Sequence, residues 1–192
     1  MMKIKTTGRG AVSDGQDTNT SQARTRVLSP TATTLIIYFS RSGNTEKQVR
    51  FAQTQLTTDV YELGVQHPYP ASYTASVARA TAEREAQQWP ALSDDSPDLS
   101  QYQLILLAHP IWAMTLANPM RAFLVLAGDQ LAGKQIASFS TNAGYGSGET
   151  QRVLQLLTPS DTEVLPNYSV QDTQANGDRK AFSRWLRQVR SH

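Results

Sequence analysis

Three near-continuous apolar runs constrain this chain more than anything else in it: LIIYF at 35–39, LILLA at 104–108 and QIASF at 135–139. A strand with one wet face alternates apolar with polar residues, whereas a strand covered on both faces by helices need not. Each run leads through a loop into a segment whose apolar residues recur at helical spacing. The reading is strands at 35–39, 59–63, 104–109, 135–140 and 163–166, and helices at 45–56, 73–89, 119–126, 149–157 and 178–190. Strands alternating with helices in this way predict an α/β fold built on a parallel sheet.

The length of 192 residues suits one domain with a sizeable core. Residues 1–30 are rich in Thr, Ser, Gly, Gln and Asp and almost free of large apolar side chains, so they are expected to form a disordered extension, with the folded domain at 31–192. Charge divides along the same line. The first 29 residues carry Lys3, Lys5, Arg9, Arg24 and Arg26 against Asp14 and Asp17, which is +3 of a total of +2 and leaves −1 for the rest. The basic balance thus belongs to the extension, which argues against a nucleic-acid partner. No apolar run is long enough to span a membrane, so no membrane partner is expected and the cytoplasm is the default location. The absence of cysteine excludes disulfides, thiolate-bound zinc, iron–sulfur clusters and a Cys nucleophile.

In an open parallel sheet, ligands bind beyond the carboxyl ends of the strands. Three loops of unusual composition should emerge there. Ser40–Thr45 offers the hydroxyls of Ser40, Ser42 and Thr45, a bend at Gly43 and a capping Asn44, all at a helix start where the dipole favours an anion. Helix capping uses the same residues, so this loop alone fits either role. The segment TNAGYGSGE at 141–149 has glycines at 144, 146 and 148, suited to close approach of backbone to a flat ligand or to a plain connection. The loop between these two in sequence, HPIWAMTLANPM at 109–120, sets Trp112 among apolar neighbours, as rim packing or as one wall for a planar ligand. His109, ahead of Pro110, reads as a hydrogen-bonded structural residue, and no metal-ligand spacing or Ser-His-Asp arrangement is present. No catalytic residue is assigned.

SRSGNT, residues 40–45, resembles the Thr/Ser-x-Thr/Ser-Gly-x-Thr phosphate loop of the flavodoxin family. Pro68-Tyr69-Pro70 with Tyr73, the approach ALSDDSPDLSQYQLILLAHP, PIWAMTLANPMRAFL at 110–124 and FSTNAGYGSGET at 139–150 are similar, in order, to a bacterial subgroup of that family. The resemblance covers about residues 33–190. It implies a three-layer sandwich, with a five-stranded parallel sheet in the order 2-1-3-4-5 and helices on both faces. It implies FMN, with its phosphate at Ser40, Arg41, Ser42, Gly43, Asn44 and Thr45. Its ring would lie between Pro110, Ile111, Trp112, Ala113, Met114 and Thr115 on one side and Thr141, Asn142, Ala143, Gly144, Tyr145 and Gly146 on the other.

Three departures stand out. Ala113 replaces a second aromatic, and Tyr145, where a small residue is usual, is expected to stack in its place. Met114 replaces a Gly and is expected to resist the positive φ that a peptide flip there would need. The resemblance implies an electron carrier working between a reductase and an acceptor, as a monomer or homodimer. The alternatives are an NAD(P)H-dependent FMN or quinone oxidoreductase of the same fold, or a binding module that has lost its cofactor. The last helix, with Arg179, Lys180, Arg184, Arg187 and Arg190, reads as a solvated face that could also dock an acidic redox partner.

Overall fold

The computed structural model describes residues 5–7, 11–13, 23–172 and 179–191. At its centre lie β1 (Thr34–Tyr38), β2 (Asp59–Glu62), β3 (Leu104–Trp112), β4 (Gln135–Asn142) and β5 (Tyr168–Gln171). These five are parallel and run 2-1-3-4-5 across the sheet, the order the resemblance implied. The helices are α1 (Asn44–Gln53), α2 (Tyr73–Glu85), α3 (Asn118–Ala127), α4 (Thr150–Leu157) and α5 (Arg179–Arg190).

Why the strands do not alternate is visible in the core. Every residue from Leu35 to Phe39 is 0% exposed, because successive side chains point to opposite faces and both faces are covered. Leu35, Ile37, Ile105 and Leu107 pack in one layer with Met120, Phe123 and Leu124 of α3 and Val153 and Leu154 of α4. Ile36, Tyr38, Leu106 and Ala108 pack in the other with Val49 and Ala52 of α1 and with α5. Helix α5 contributes Phe182, Trp185, Leu186 and Val189, a single stripe at the spacing of one helical face. No helix of the described residues is long and apolar enough to cross a membrane.

The sheet departs from five parallel strands in three places. Arg26–Val27 adds an antiparallel edge strand beyond β2, Thr115–Leu116 folds back antiparallel on Ile111–Trp112, and Glu163–Val164 pairs with the start of β4. The fifth strand expected at 163–166 is therefore only the first, two-residue part of that edge. Pro166 has no N–H for the ladder, and pairing resumes at Tyr168. The stretch expected to be a loop from 110 is instead a continuation of β3 into a tight hairpin. Its two turn residues, Ala113 (φ 47°) and Met114 (φ 62°), both take the left-handed backbone that a two-residue hairpin turn needs. Met114 thus adopts the positive φ it was expected to resist.

The extension expected to be disordered through residue 30 is structured from residue 23 onward and crosses the β2 edge. The N–H of Thr25 and the O–H of Tyr38 both donate to Glu62 Oε2, at 2.7 and 2.9 Å. The N–H of Ser29 and the O–H of Tyr102 both donate to Asp59 Oδ2, each at 2.8 Å. The Arg26 guanidinium lies 3.5 Å over the Tyr61 ring and donates to Asp94 at 3.0 Å. Asp59 and Glu62 are both buried, so these donors supply the compensation a buried carboxylate needs. Further back, Lys5–Thr7 pairs antiparallel with Ala11–Ser13, and residues 1–4, 8–10 and 14–22 of the extension lie outside the described residues.

His109 sits on β3 with no exposed surface. Its Nδ1 lies 3.1 Å from the carbonyl of Pro110, which fixes the proton on that nitrogen, and its Nε2 is buried without a hydrogen-bond partner. Burial, reinforced by the charge of Arg121, pushes its pKa down to about 4. The imidazole is thus a neutral core group, in keeping with the structural role expected of it.

Two outcomes follow from this arrangement. Deleting residues 1–30 is expected to lower unfolding stability, measured by urea titration, by about 3 kcal/mol or more relative to deleting 1–22. That is the loss of two hydrogen bonds to buried carboxylates, each worth roughly 1.5–3 kcal/mol. Second, the unfolded chain protonates His109 near pH 6.5 while the folded chain resists until about pH 4. Stability should therefore fall as pH drops through that window, by up to about tenfold in the folding constant per pH unit. The difference between wild type and His109→Gln isolates this slope, and parallel pH profiles would refute it.

Candidate functional site

The loops that follow β1, β3 and β4 meet at the carboxyl edge of the sheet, because parallel strands deliver all three to the same side. Helix α1 opens at Gly43, whose φ of 86° turns the chain sharply out of β1, a conformation that suits glycine. Ser40 is 1% exposed, and its Oγ accepts the N–H of Gly43 at 3.1 Å and of Glu46 at 3.3 Å. It therefore braces the loop from inside. Lys47 is the first residue whose N–H finds a helical carbonyl, that of Gly43 at 3.0 Å. The amides of Asn44 and Thr45 ahead of it have no acceptor within the helix, which makes this end a donor site aligned with the helix dipole. Thr45 Oγ1 shares a 2.8 Å hydrogen bond with Thr141 Oγ1, locking the first loop to the end of β4.

Arg41 is buried and lines the cleft beside the loop. Its guanidinium donates to the carbonyls of Pro70 and Ala71, both at 2.7 Å, and ties the loop to the segment ahead of α2. That segment carries Tyr69, which meets Trp112 edge-on at 4.9 Å between centroids, while Phe39 meets the same indole at 5.6 Å. The Tyr69 O–H donates to Glu83, which also accepts from Asn118 at 2.7 Å. Trp112 is thus both rim packing and cleft wall: half-buried, held by two rings, and open on its remaining side.

The third loop is braced by Asn142. Its Oδ1 accepts the N–H of Gly144 at 2.7 Å and of Gly146 at 3.1 Å, and its Nδ2 donates to Ser169 at 2.8 Å. The N–H of Glu149 then donates to the Met114 carbonyl at 2.8 Å. Gly148 permits that approach, since a Cβ there would lie 2.0 Å from the Met114 oxygen. Here the close backbone approach expected of a glycine in this loop is made to the hairpin.

Two adjoining clefts result. One, of about 140 Å³, is lined by Ser40, Arg41, Ser42, Asn44 and Thr45, by Pro110, Ile111 and Trp112, and by Thr141, Asn142 and Ala143. The other, of about 310 Å³, opens between Ile111, Ala113 and Met114 on one wall and Asn142, Ala143 and Tyr145 on the other. Gly43, Gly144 and Gly146 shape the loops without lining either space. Thr115 is buried beneath the hairpin, where its Oγ1 accepts from Arg121 at 2.8 Å. Tyr73 and Asp172 line the site without having been singled out for it. Tyr73 opens α2 directly after the Pro-rich stretch, and that was its signal. Asp172 follows β5 at the same edge, and placing the fifth strand at 163–166 hid it.

The comparisons agree with this geometry. A family model described as flavodoxin matches residues 33–186. No curated protein matches in sequence. A candidate flavoprotein from Bacteroides uniformis superimposes with a TM-score of 0.69 at 22% identity, over 81% of this chain and 98% of that one. A flavoprotein from Lactobacillus acidophilus, solved in complex with FMN, gives 0.63 at 22% identity over 74% and 95%. Oxidised flavodoxin 1 from Bacillus cereus gives 0.56 at 18% identity over 84% and 99%. Fold, loop placement and family match converge: this chain belongs to the flavodoxin family.

Proposed function

We propose that the protein is an electron carrier that holds FMN at the carboxyl edge of its sheet. The observation that carries this reading is the juxtaposition of an anion-accepting helix start with a two-walled cleft beside it. The donor set suits a phosphate ester: Ser42, Asn44 and Thr45 line the smaller cleft, where the hydroxyl and the two helix-start amides would serve as donors without a lysine. The larger cleft fits a flat ring, with the hairpin at 111–114 on one side and residues 142–145 on the other. FMN, once bound, supplies the electron storage.

The chain's own residues set the conditions. Trp112, pinned by Phe39 and Tyr69, keeps the inner wall in place. Residues 141–148 contain no Lys or Arg, so no cation from that loop offsets the negative charge gained on reduction, which favours work at low potential. Met114 and Tyr145 are 45% and 40% exposed, leaving apolar atoms at the cleft mouth where a protein partner would make contact.

A second reading, an NAD(P)H-dependent FMN or quinone oxidoreductase, draws on one observation. Ala113 faces open space on both sides of the hairpin, where a second aromatic would have filled it.

Calorimetry on the apoprotein tests the cofactor site. FMN is expected to bind at least about 100-fold more tightly than riboflavin, the worth of a phosphate held by charge-assisted hydrogen bonds. Ser42→Ala should weaken FMN binding and leave riboflavin unchanged; equal affinity for the two ligands would refute the phosphate assignment. Anaerobic stopped-flow mixing of the FMN-loaded protein with NADPH separates the two readings. The carrier reading expects flavin absorbance to persist for minutes, and bleaching within milliseconds to seconds would establish the oxidoreductase instead.

A further inference from the structure

Gly148 lines neither cleft, yet it touches the wall of the larger one from behind. A Cβ built on it would lie 2.0 Å from the Met114 carbonyl oxygen, 2.5 Å from the carbonyl carbon and 2.9 Å from the Cα. All three are backbone atoms, so no rotamer change could clear them. Beside this contact, the Glu149 N–H donates to the same oxygen at 2.8 Å. One backbone touch and one hydrogen bond therefore fix how far the hairpin stands from the loop after β4.

The two sides of the contact are not equally firm. Thr150, at the start of α4, has no exposed surface, and its Oγ1 donates to the Ser147 carbonyl at 2.6 Å. The N–H of Val153 donates to the Glu149 carbonyl at 2.9 Å, and Val153 and Leu154 are set in the core. Across from this anchored helix start is a two-residue turn. Ala113 and Met114 both hold a backbone region that disfavours side chains, and Met114 is 45% exposed. A larger residue at 148 would therefore displace the hairpin and leave the helix where it is.

The geometry points to Gly148 as a positioning residue that sets the separation of the two walls and so fits the larger cleft to a flat, fused ring. Ala113 and Met114 ride on the element that would move, and Asn142, Ala143 and Tyr145 face them. Relieving a 2.0 Å contact to ordinary packing distance, about 3.5 Å, carries the hairpin outward. A gap of about 0.5–1 Å already forfeits a quarter to a half of a dispersion contact. That loss falls on the ring and spares the phosphate donors, because Ser42, Asn44 and Thr45 line the other cleft. The identity of the ring rests on the cofactor reading; the placement of the hairpin rests on the contacts alone.

The test compares Gly148→Ala with Gly146→Ala by calorimetry with riboflavin and with FMN. Gly146 lies in the same loop at φ 74°, so alanine meets a similar backbone cost there, but its Cβ would touch nothing within 4 Å. Gly148→Ala is expected to weaken both ligands by one shared factor, at least about tenfold. Gly146→Ala should change either by less than about twofold. In ligand-free protein, NMR amide shifts at residues 111–115 should move in Gly148→Ala alone. Hydrogen exchange at the Glu149 amide of the wild type serves if Gly148→Ala does not fold. Riboflavin at about 100 times its dissociation constant should slow that exchange at least about tenfold, because the ring holds the tied state. Equal losses from the two variants, a loss for FMN without one for riboflavin, unmoved hairpin amides or unchanged exchange would overturn the proposal. A wild type that binds neither flavin would defeat the cofactor reading, and the ligand-free shifts would still decide the role of Gly148.

Discussion

Covering the sheet on both faces is the condition on which everything else here rests. With helices above and below, the backbone free to meet a ligand is at the strand ends, and parallel order sends the loops after β1, β3 and β4 to one edge. The register extends that logic into the site. Phe39 N–H still pairs with the Ala108 carbonyl at 3.0 Å after β1 has formally ended, so the first loop departs from a fixed point. Phe39 then serves two roles at once, filling the core and bracing Trp112. The site is thus assembled from the same side chains that close the core.

What the residues revealed in advance, and what they hid, divides along the range of the interaction. Apolar runs and helical stripes are local, and they placed β1 to β4 and all five helices within a few residues. The Ser-Gly-Asn-Thr turn was equally local. The hairpin at Ala113 and Met114 was hidden because neither residue carries the glycine or asparagine signature of a positive-φ turn. Its cause lies elsewhere, in the Glu149 amide that holds the Met114 carbonyl. The edge strand at Arg26–Val27 was hidden for a similar reason. It is only two residues long, Arg-Val, and what holds it are Glu62, Asp59 and Asp94, distant in the chain. The third loop's glycines were read correctly as permissive, but the backbone that Gly148 admits belongs to the protein.

Charge shows the same contrast between totals and positions. A pI ≈ 9.0 suggests a basic protein, yet the excess sits ahead of residue 30 and the folded body is close to neutral. Within that body, carboxylates gather under the β2 edge, where main-chain and tyrosine donors meet them, while Arg41, Arg84 and Arg121 stand beside the hairpin. A net figure averages these opposed regions and predicts neither.

The bond between Glu149 and Met114 has a consequence for how such a chain can diverge. The two walls are separated by more than thirty positions in sequence, yet they share one hydrogen bond and one contact that tolerates no side chain at 148. Lengthening either wall by a residue would pull its half of the tie out of reach. Descendants of this protein can therefore vary loop size only by changing both walls together, so that insertions there should be inherited as matched pairs.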